Sequence, residues 1–305
     1  MKEKIIAITG ATASGKSALA IELAKKIDAQ IISCDSRQIY KEFDIATAKP
    51  SLEDMQWIKH YMLNVISPNE TFSASDYAQM AKQCIEKIRS ENKNVIVVGG
   101  TGFYFRILLE GLALTEVKPN EKLREELTLL AKEKGNNAVF EVLKETDEIA
   151  AQKIHPNNLE KVIRAIEISK TLNSPMSSTG VKYNPSYDVL WVGIEYKDRQ
   201  KLYDKINLRV DEMIKNGLEK EAKFLFEKYG QIPSLTNTIG YQEFIPYFNS
   251  EISFEETVEK IKQNTRKYAK RQLTWFRANE KIHSFYMDET DEKTVIEKVI
   301  ELFEN

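Results

Sequence analysis

Cysteine is scarce in this chain of 305 residues: Cys34 and Cys84 are the whole supply. That excludes a disulfide scaffold and any four-cysteine zinc site. The three histidines, His60, His155 and His283, form no metal-ligand spacing, and His155, just before Pro156, reads as a turn cap. No apolar run is long enough to span a bilayer, and the mean hydropathy of −0.43 agrees with the exclusion of a membrane helix. Residues 1–10 begin as a secretion signal can begin, but their apolar run is too short and Gly10 opens another motif, so the expected compartment is the cytoplasm. A dominant charge is missing too. Lys and Arg number 44 against 46 Asp and Glu, so nucleic-acid binding could rest only on a local basic patch. No internal repeat or low-complexity tail is present. What remains, 42% apolar and 30% charged, is the composition of one large or two ordinary globular domains.

The pattern along the chain predicts an α/β fold with a mostly parallel sheet flanked by helices. Residues 5–9, 31–34, 95–98 and 189–194 are short apolar runs of the kind buried on both faces. Leu19, Leu23 and Ile27 repeat at helical spacing over 18–27. Tyr77, Met80, Ala81, Cys84, Ile85 and Ile88 make one face of a helix over 76–90. The texture changes near Pro119: residues 120–172 are charged and helical with no strand, and a breaker-rich stretch follows, ending at Asn184-Pro185. The expected division is a core of 1–117 and 186–305 with a helical insertion over 118–185. One continuous domain with a helical middle is the plainer alternative. Residues 198–305 read as largely helical.

Gly10-Ala11-Thr12-Ala13-Ser14-Gly15-Lys16-Ser17 has the spacing G-x-x-x-x-G-K-S/T between a strand and a helix, the pattern of a P-loop. Its chemistry needs those residue types. Glycines let backbone N–H groups turn around an anion, the following helix presents its positive end, Lys16 adds a point charge, and the Ser17 hydroxyl can hold Mg²⁺. Asp35 ends the strand over 31–34, where a carboxylate could support the metal through water or accept a proton from a substrate; a turn-capping role is the bland reading. Residues 95–98 are followed by Gly99-Gly100 and not by Asp, which argues against an ATP motor.

Strand ends beside the loop are where open α/β sheets bind ligands. Asp35 to Tyr40 and Gly99-Gly100-Thr101-Gly102 offer acceptors, a guanidinium and close backbone approach, and five of the twelve glycines lie in the latter turn and the phosphate loop. Thr47 and Lys49 sit in a neighbouring polar stretch. Between 260 and 281 eight Lys and Arg face one Glu. Arg266, Lys270 and Arg277 share a helical face that Lys267 and Arg271 extend, while Ala269, Leu273 and Phe276 face the core. A basic helix on an acidic body is the footprint of a nucleic-acid backbone contact, against the plainer reading of a solvated face.

Taken together, GATASGKS (10–17), DSRQIY (35–40), IATAKP (45–50), VVGGTGFYFRILLEGL (97–112), HPNNLEKVIRAIEI (155–168), IGYQEF (239–244) and NTRKYAKRQLTWFR (264–277) resemble, in order and over nearly the full length, the tRNA dimethylallyltransferases in their bacterial form. The resemblance implies an enzyme that moves a five-carbon prenyl group from dimethylallyl diphosphate to N6 of the adenosine just 3′ of the anticodon. It reassigns residues 10–17 to the diphosphate, with Mg²⁺ on Ser17, and makes Asp35 the general base beside Lys16 and Thr101. By resemblance, Asp35, Ser36, Arg37, Gln38 and Thr101 contact the tRNA near the crevice. Arg124, then Glu160, Lys161, Val162, Ile163 and Arg164, would contact it from the insertion. Arg266, Lys270, Arg271 and Arg277 fit the anticodon stem-loop. Many members carry an arginine where this chain has Asn237, and Arg266 is the candidate substitute. A monomer is expected. The rivals are a small-molecule or nucleotide kinase, with the insertion as its lid, and a non-catalytic RNA-binding protein.

Overall fold

The computed structural model describes residues 3–113, 115, 117–180 and 182–305. Met1 and Lys2, where the leader-like reading begins, lie outside them, as do Leu114, Glu116 and Val181, the last within the expected insertion. The chain divides into two compact units, one of residues 1–110 and 185–305, the other of Gly111–Asn184.

The first unit opens with β1 (Glu3–Gly10), α1 (Lys16–Lys26), β2 (Ala29–Cys34), β3 (His60–Tyr61), α2 (Ala74–Ser90), β4 (Asn94–Gly99) and α3 (Gly102–Leu108). The second holds α4 (Glu121–Lys134), α5 (Asn136–Thr146), α6 (Glu148–Ala151) and α7 (Leu159–Leu172). The first then resumes with β5 (Tyr187–Glu195), α8 (Arg199–Lys215), α9 (Leu218–Tyr229), α10 (Pro233–Thr236), α11 (Phe244–Phe248), α12 (Phe254–Phe276), β6 (His283–Tyr286) and α13 (Glu292–Glu304).

Among the described residues, six strands run parallel in the order β3-β2-β4-β1-β5-β6. The central strands are β-branched and apolar because both faces are covered. Ile6 and Ile8 pack with Leu19, Leu23 and Val299 on the side of α1 and α13. Ile5, Ala7 and Val97 pack with Tyr77, Ile85 and Phe105 on the side of α2 and α3. Two short strands escape the apolar pattern: β3 is two residues long, and β6, His-Ser-Phe-Tyr, is half polar and lies at the sheet edge. On α2 the expected inward face is incomplete, for Met80 is exposed and Cys84 only half-buried.

The register places the site. Thr9 and Cys34 both pair with Gly99, so the chain leaves β1, β2 and β4 at one level of the sheet. The loop over 10–17, Asp35 and Thr101 therefore emerge side by side from three separate parts of the sequence. Helix α12 starts earlier than the basic stretch, at a capping box in which Ser253 and Glu256 bond each other's backbone amides.

The second unit begins at Gly111 because the chain there already pairs with its far end: Leu112 bridges Tyr183 antiparallel, and the Ala113 amide donates to the Lys182 carbonyl. Its core joins Leu127, Val139, Phe140, Leu143, Val162 and Ile166. Within it Glu167 is fully buried and accepts both Nε and Nη2 of Arg124, at 2.9 and 3.0 Å, the Asn120 amide at 2.6 Å, and Arg164.

Candidate active site

The loop from Gly10 to Ser17 is held from both ends. Gly15 takes a left-handed φ of 95° at the N-cap of α1, a conformation glycine adopts without strain. No side chain caps that helix, so its first-turn N–H groups stay open to an anion. Ser14 is 1% exposed, and its Oγ has no hydrogen-bond partner among the described residues. A buried hydroxyl left free inside a turn of amides suits a polar ligand. Lys16 reaches into the site and donates to the Ala11 carbonyl at 3.2 Å. Part of its stem touches solvent, but enclosure of the ammonium, helped by the Arg209 charge and opposed by Asp35, lowers its pKa to about 8.

Two cavities meet beyond this loop. The smaller, about 60 Å³, is lined by Thr12, Lys16, Ser17, Asp35, Gln38 and His60 among others. The larger, about 490 Å³, is lined by Ser36, Arg37, Asn237, Asn264 and Arg271 and by an apolar wall of Ile206, Val210, Met213, Ile239 and Ile261. Thr12, Asp35, Thr47, Arg209 and Tyr268 belong to both.

Asp35 takes the turn-capping position and also borders the cavities. Oδ1 caps the turn after β2, accepting the Arg37 amide at 2.8 Å and the Gln38 amide at 3.4 Å. The same side chain lines both cavities. Thr101 lines neither; its hydroxyl accepts the Ser36 amide at 3.0 Å, and its amide donates to the Cys34 carbonyl at 3.1 Å. It therefore holds the Asp35 turn against the start of α3. Gln38 serves the frame as well: its side chain accepts the Ser33 hydroxyl and donates to the carbonyls of Thr47 and Ala48. Arg37 lines the larger cavity and donates to the Asn237 carbonyl at 3.0 Å.

Three residues here escaped the sequence reading. Arg209 sits among Ile206, Val210 and Met213 on one face of α8, lines both cavities, and has its pKa lowered by burial against the opposing pull of Asp35. Arg266, the expected substitute for the family arginine, lies in neither cavity lining and is bound to Asn207 at 2.6 Å and Glu259 at 3.0 Å. Tyr268 lines both cavities, and burial, then the Asp35 charge, pushes its phenol pKa up. Gln272, 5% exposed, accepts the Thr12 amide at 2.9 Å and donates to the Gly100 carbonyl at 3.0 Å, tying the phosphate loop to the end of β4. The only available signal was a glutamine at a core-facing position between Ala269 and Phe276.

The basic helix is less free than its sequence suggests. Arg277 pairs with Glu195 at 3.1 Å and Lys262 with Asp211 at 2.6 Å, and Glu259 lies one residue before the window. Lys267, Lys270 and Arg271 make no ion pair among the described residues, and Arg271 stacks over Tyr268 at 5.7 Å. In the second unit Val162 and Ile163 are core residues, and Arg124 and Arg164 are engaged by Glu167, which leaves Glu160 and Lys161 exposed on that stretch. His155 caps its turn through the Asn157 amide.

For Mg²⁺ the donor set offers the exposed Ser17 hydroxyl in the first turn of α1. Among the described residues no three His, Cys, Asp or Glu side chains form a cage. One hydroxyl beside an anion cradle fits an ion that keeps waters and takes its other ligands from phosphate oxygens. No helix among the described residues is long and apolar enough to cross a membrane.

Comparison with known proteins gives one consistent family. The family described as IPPT, IPP transferase, matches residues 38–279. The tRNA dimethylallyltransferase of Caldanaerobacter subterraneus subsp. tengcongensis is 44% identical, with 100% of this chain and 98% of that protein covered. That of Finegoldia magna is 41% identical, with 98% and 96% covered. The crystal structure of a tRNA delta(2)-isopentenylpyrophosphate transferase from Staphylococcus epidermidis matches with a TM-score of 0.74 at 38% identity, over 99% of both chains. A eukaryotic dimethylallyltransferase, described as acting on tRNA, matches with a TM-score of 0.78 at 28% identity, over 96% of this chain and 78% of that one. The kinase reading finds no support in these relatives.

Proposed function

Since the chain belongs to the IPP transferase family, we propose that it transfers the dimethylallyl group of dimethylallyl diphosphate to N6 of the adenosine immediately 3′ of the anticodon in tRNAs, releasing diphosphate. The observation that carries this reading is Asp35 in the shared wall of an anion-sized and a larger cavity.

In this scheme residues 10–17 bind the diphosphate through loop amides, Lys16 and the Ser14 hydroxyl, and Arg209 faces it from α8. Ser17 would hold Mg²⁺, which when bound supplies charge neutralisation for the leaving group. The adenosine leaves its stack to enter the larger cavity, because N6 is otherwise out of reach. The N6 lone pair forms a bond to the allylic carbon as the carbon–oxygen bond breaks. The electron pair departs with diphosphate, and Asp35 accepts the N6 proton. Lys16, Arg209 and the loop amides stabilise the charge as it develops. Thr101 keeps the Asp35 turn in register through Ser36.

For the tRNA we propose contacts from Ser36, Arg37 and Arg271 at the larger cavity and from Lys270 beside it, with Glu160 and Lys161 the exposed part of the helical unit's contact stretch. Loop, carboxylate and both cavities come from one chain, so a monomer suffices.

The test is transfer of label from dimethylallyl diphosphate to an anticodon stem-loop carrying adenosine after the anticodon. Asp35→Ala should lower transfer at least about 100-fold, the usual scale for general-base loss, with stem-loop binding largely kept. ATP hydrolysis without prenyl transfer, or unchanged turnover in that variant, would refute the scheme.

A further inference from the structure

Two large aromatic side chains stand exposed next to the site with no role in the transfer chemistry: Phe103, 42% exposed, and Trp275, 40% exposed. Their placement is built. Trp275 lies against Gly102, where any Cβ would collide with the indole, so glycine lets the ring rest on the first turn of α3. Phe103 follows directly. The Arg106 guanidinium stands 5.6 Å from the indole centre and also pairs with Glu110 at 3.5 Å.

The patch continues the larger cavity. Tyr268, Arg271 and Trp275 are spaced i, i+3 and i+7 on α12, so they form one row along the helix. Tyr268 lines both cavities and Arg271 the larger one. Trp275 is the next member outward. On the α3 side the order is Thr101, which holds the Asp35 turn, then Gly102 and Phe103. Lys267 and Lys270 are exposed on the same helix, with Glu110 and Glu280 the nearby acidic groups in sequence.

We propose that Trp275 and Phe103 form a stacking platform for an unpaired base next to the extruded adenosine, with Arg271 and Lys270 supplying its phosphate contacts. The inference rests on the proposed transfer to an RNA adenosine at Asp35. Bases inside a duplex have both faces covered by their neighbours, whereas a splayed loop exposes them, and aromatic rings flanked by cations hold such bases without reading their sequence. The alternation of ring, guanidinium and ring leading out of a cavity supplies both a π-face for a base and cations for its phosphates.

The experiment uses the full chain and anticodon stem-loops in which the nucleotide on either side of the target adenosine is intact or abasic. Trp275→Ala should weaken binding of the intact loop about 5- to 150-fold, the range for one lost base stack. Trp275→Phe should restore most of it. The slope of log affinity against log salt should stay unchanged, since no phosphate contact is removed, and so should the KM for dimethylallyl diphosphate. With the abasic loop at one of the two positions, the effect of Trp275→Ala should vanish. Phe103→Ala, which leaves the indole–glycine contact in place, supplies an independent reading if Trp275→Ala fails to fold. Equal weakening on intact and abasic loops, or no weakening in either variant, overturns the platform while transfer by the unaltered chain stands. Loss of self-association in place of RNA affinity would mean that a second copy covers the patch, and also overturns it. An unaltered chain that neither binds nor prenylates the loop overturns both readings.

Discussion

Glu167 offers the sharpest quantitative test of the helical unit. The perturbation is Glu167→Gln, which keeps an acceptor oxygen but removes the charge between Arg124 and Arg164. The carboxyl is fully buried, and although burial alone would raise its pKa, the Arg124 fork, the Asn120 amide and Arg164 bring it from 4.5 to about 2. At about 1.4 kcal/mol per pKa unit that displacement corresponds to roughly 3 kcal/mol. Breaking a buried pair costs about 3–5 kcal/mol when the survivor is stranded. Here the arginine side chains are 37% and 34% exposed and regain water, so the lower end, about 3 kcal/mol, is expected. Tryptophan fluorescence misses this change, because Trp57, Trp191 and Trp275 all lie in the other unit. Hydrogen exchange of peptides from 121–172 in the full chain reads it directly. Local opening in the variant should speed their exchange about 100-fold at pH 7, with peptides of β1 and β4 unchanged. The pH dependence has a fixed sign. A carboxyl with a lowered folded-state pKa stabilises fully above its unfolded value of 4.5 and loses that contribution as pH falls toward about 2. The gap between parent and variant should therefore close over that interval. Identical exchange at pH 7, or a gap that persists at about pH 2, would refute the buried-pair account.

Arg209→Gln should raise the KM for dimethylallyl diphosphate about 10- to 100-fold, the worth of a charge-assisted contact, while stem-loop affinity holds; steady-state kinetics with each substrate varied checks the split. Gln272→Ala strands the Thr12 amide and the Gly100 carbonyl, so denaturant unfolding should report a loss of about 1–3 kcal/mol, accompanied by weaker diphosphate binding in calorimetry. Lys270→Ala and Arg271→Ala should each reduce the salt slope of stem-loop binding by about one. Arg277→Ala, whose partner is Glu195, should leave that slope nearly unchanged; an equal drop would mean that the ion pair opens on the RNA.

The strands that a reader of the sequence can find are those buried on both faces, since only there does an unbroken apolar run survive. The strands β3 and β6 lack it because edge position and brevity leave them half polar. The loop was legible because its residues are consecutive in the chain, and Asp35 because it directly follows a buried apolar strand. Arg209 and Gln272 were not, because each faces the site from a helix distant in sequence, and one polar residue on an apolar face carries no period. Charge was the least transparent signal. Arg266 and Arg277 counted toward a basic patch, yet Glu259 on the same helix with Asn207 holds the first, and Glu195 of β5 holds the second. Val162 and Ile163 fell inside a matched stretch, but their apolar character already assigned them to a core.

The brace that Gln272 places between Thr12 and Gly100 spans 260 positions of the chain on one side. At about 5–20 residues per second, ribosomes need on the order of tens of seconds to pass from one to the other. During that interval the nascent polypeptide owns a complete phosphate loop and its carboxylate but not the amide that steadies them. Prematurely terminated products ending before α12 would share that deficiency, so the tie between the loop and the end of β4 closes only late in synthesis.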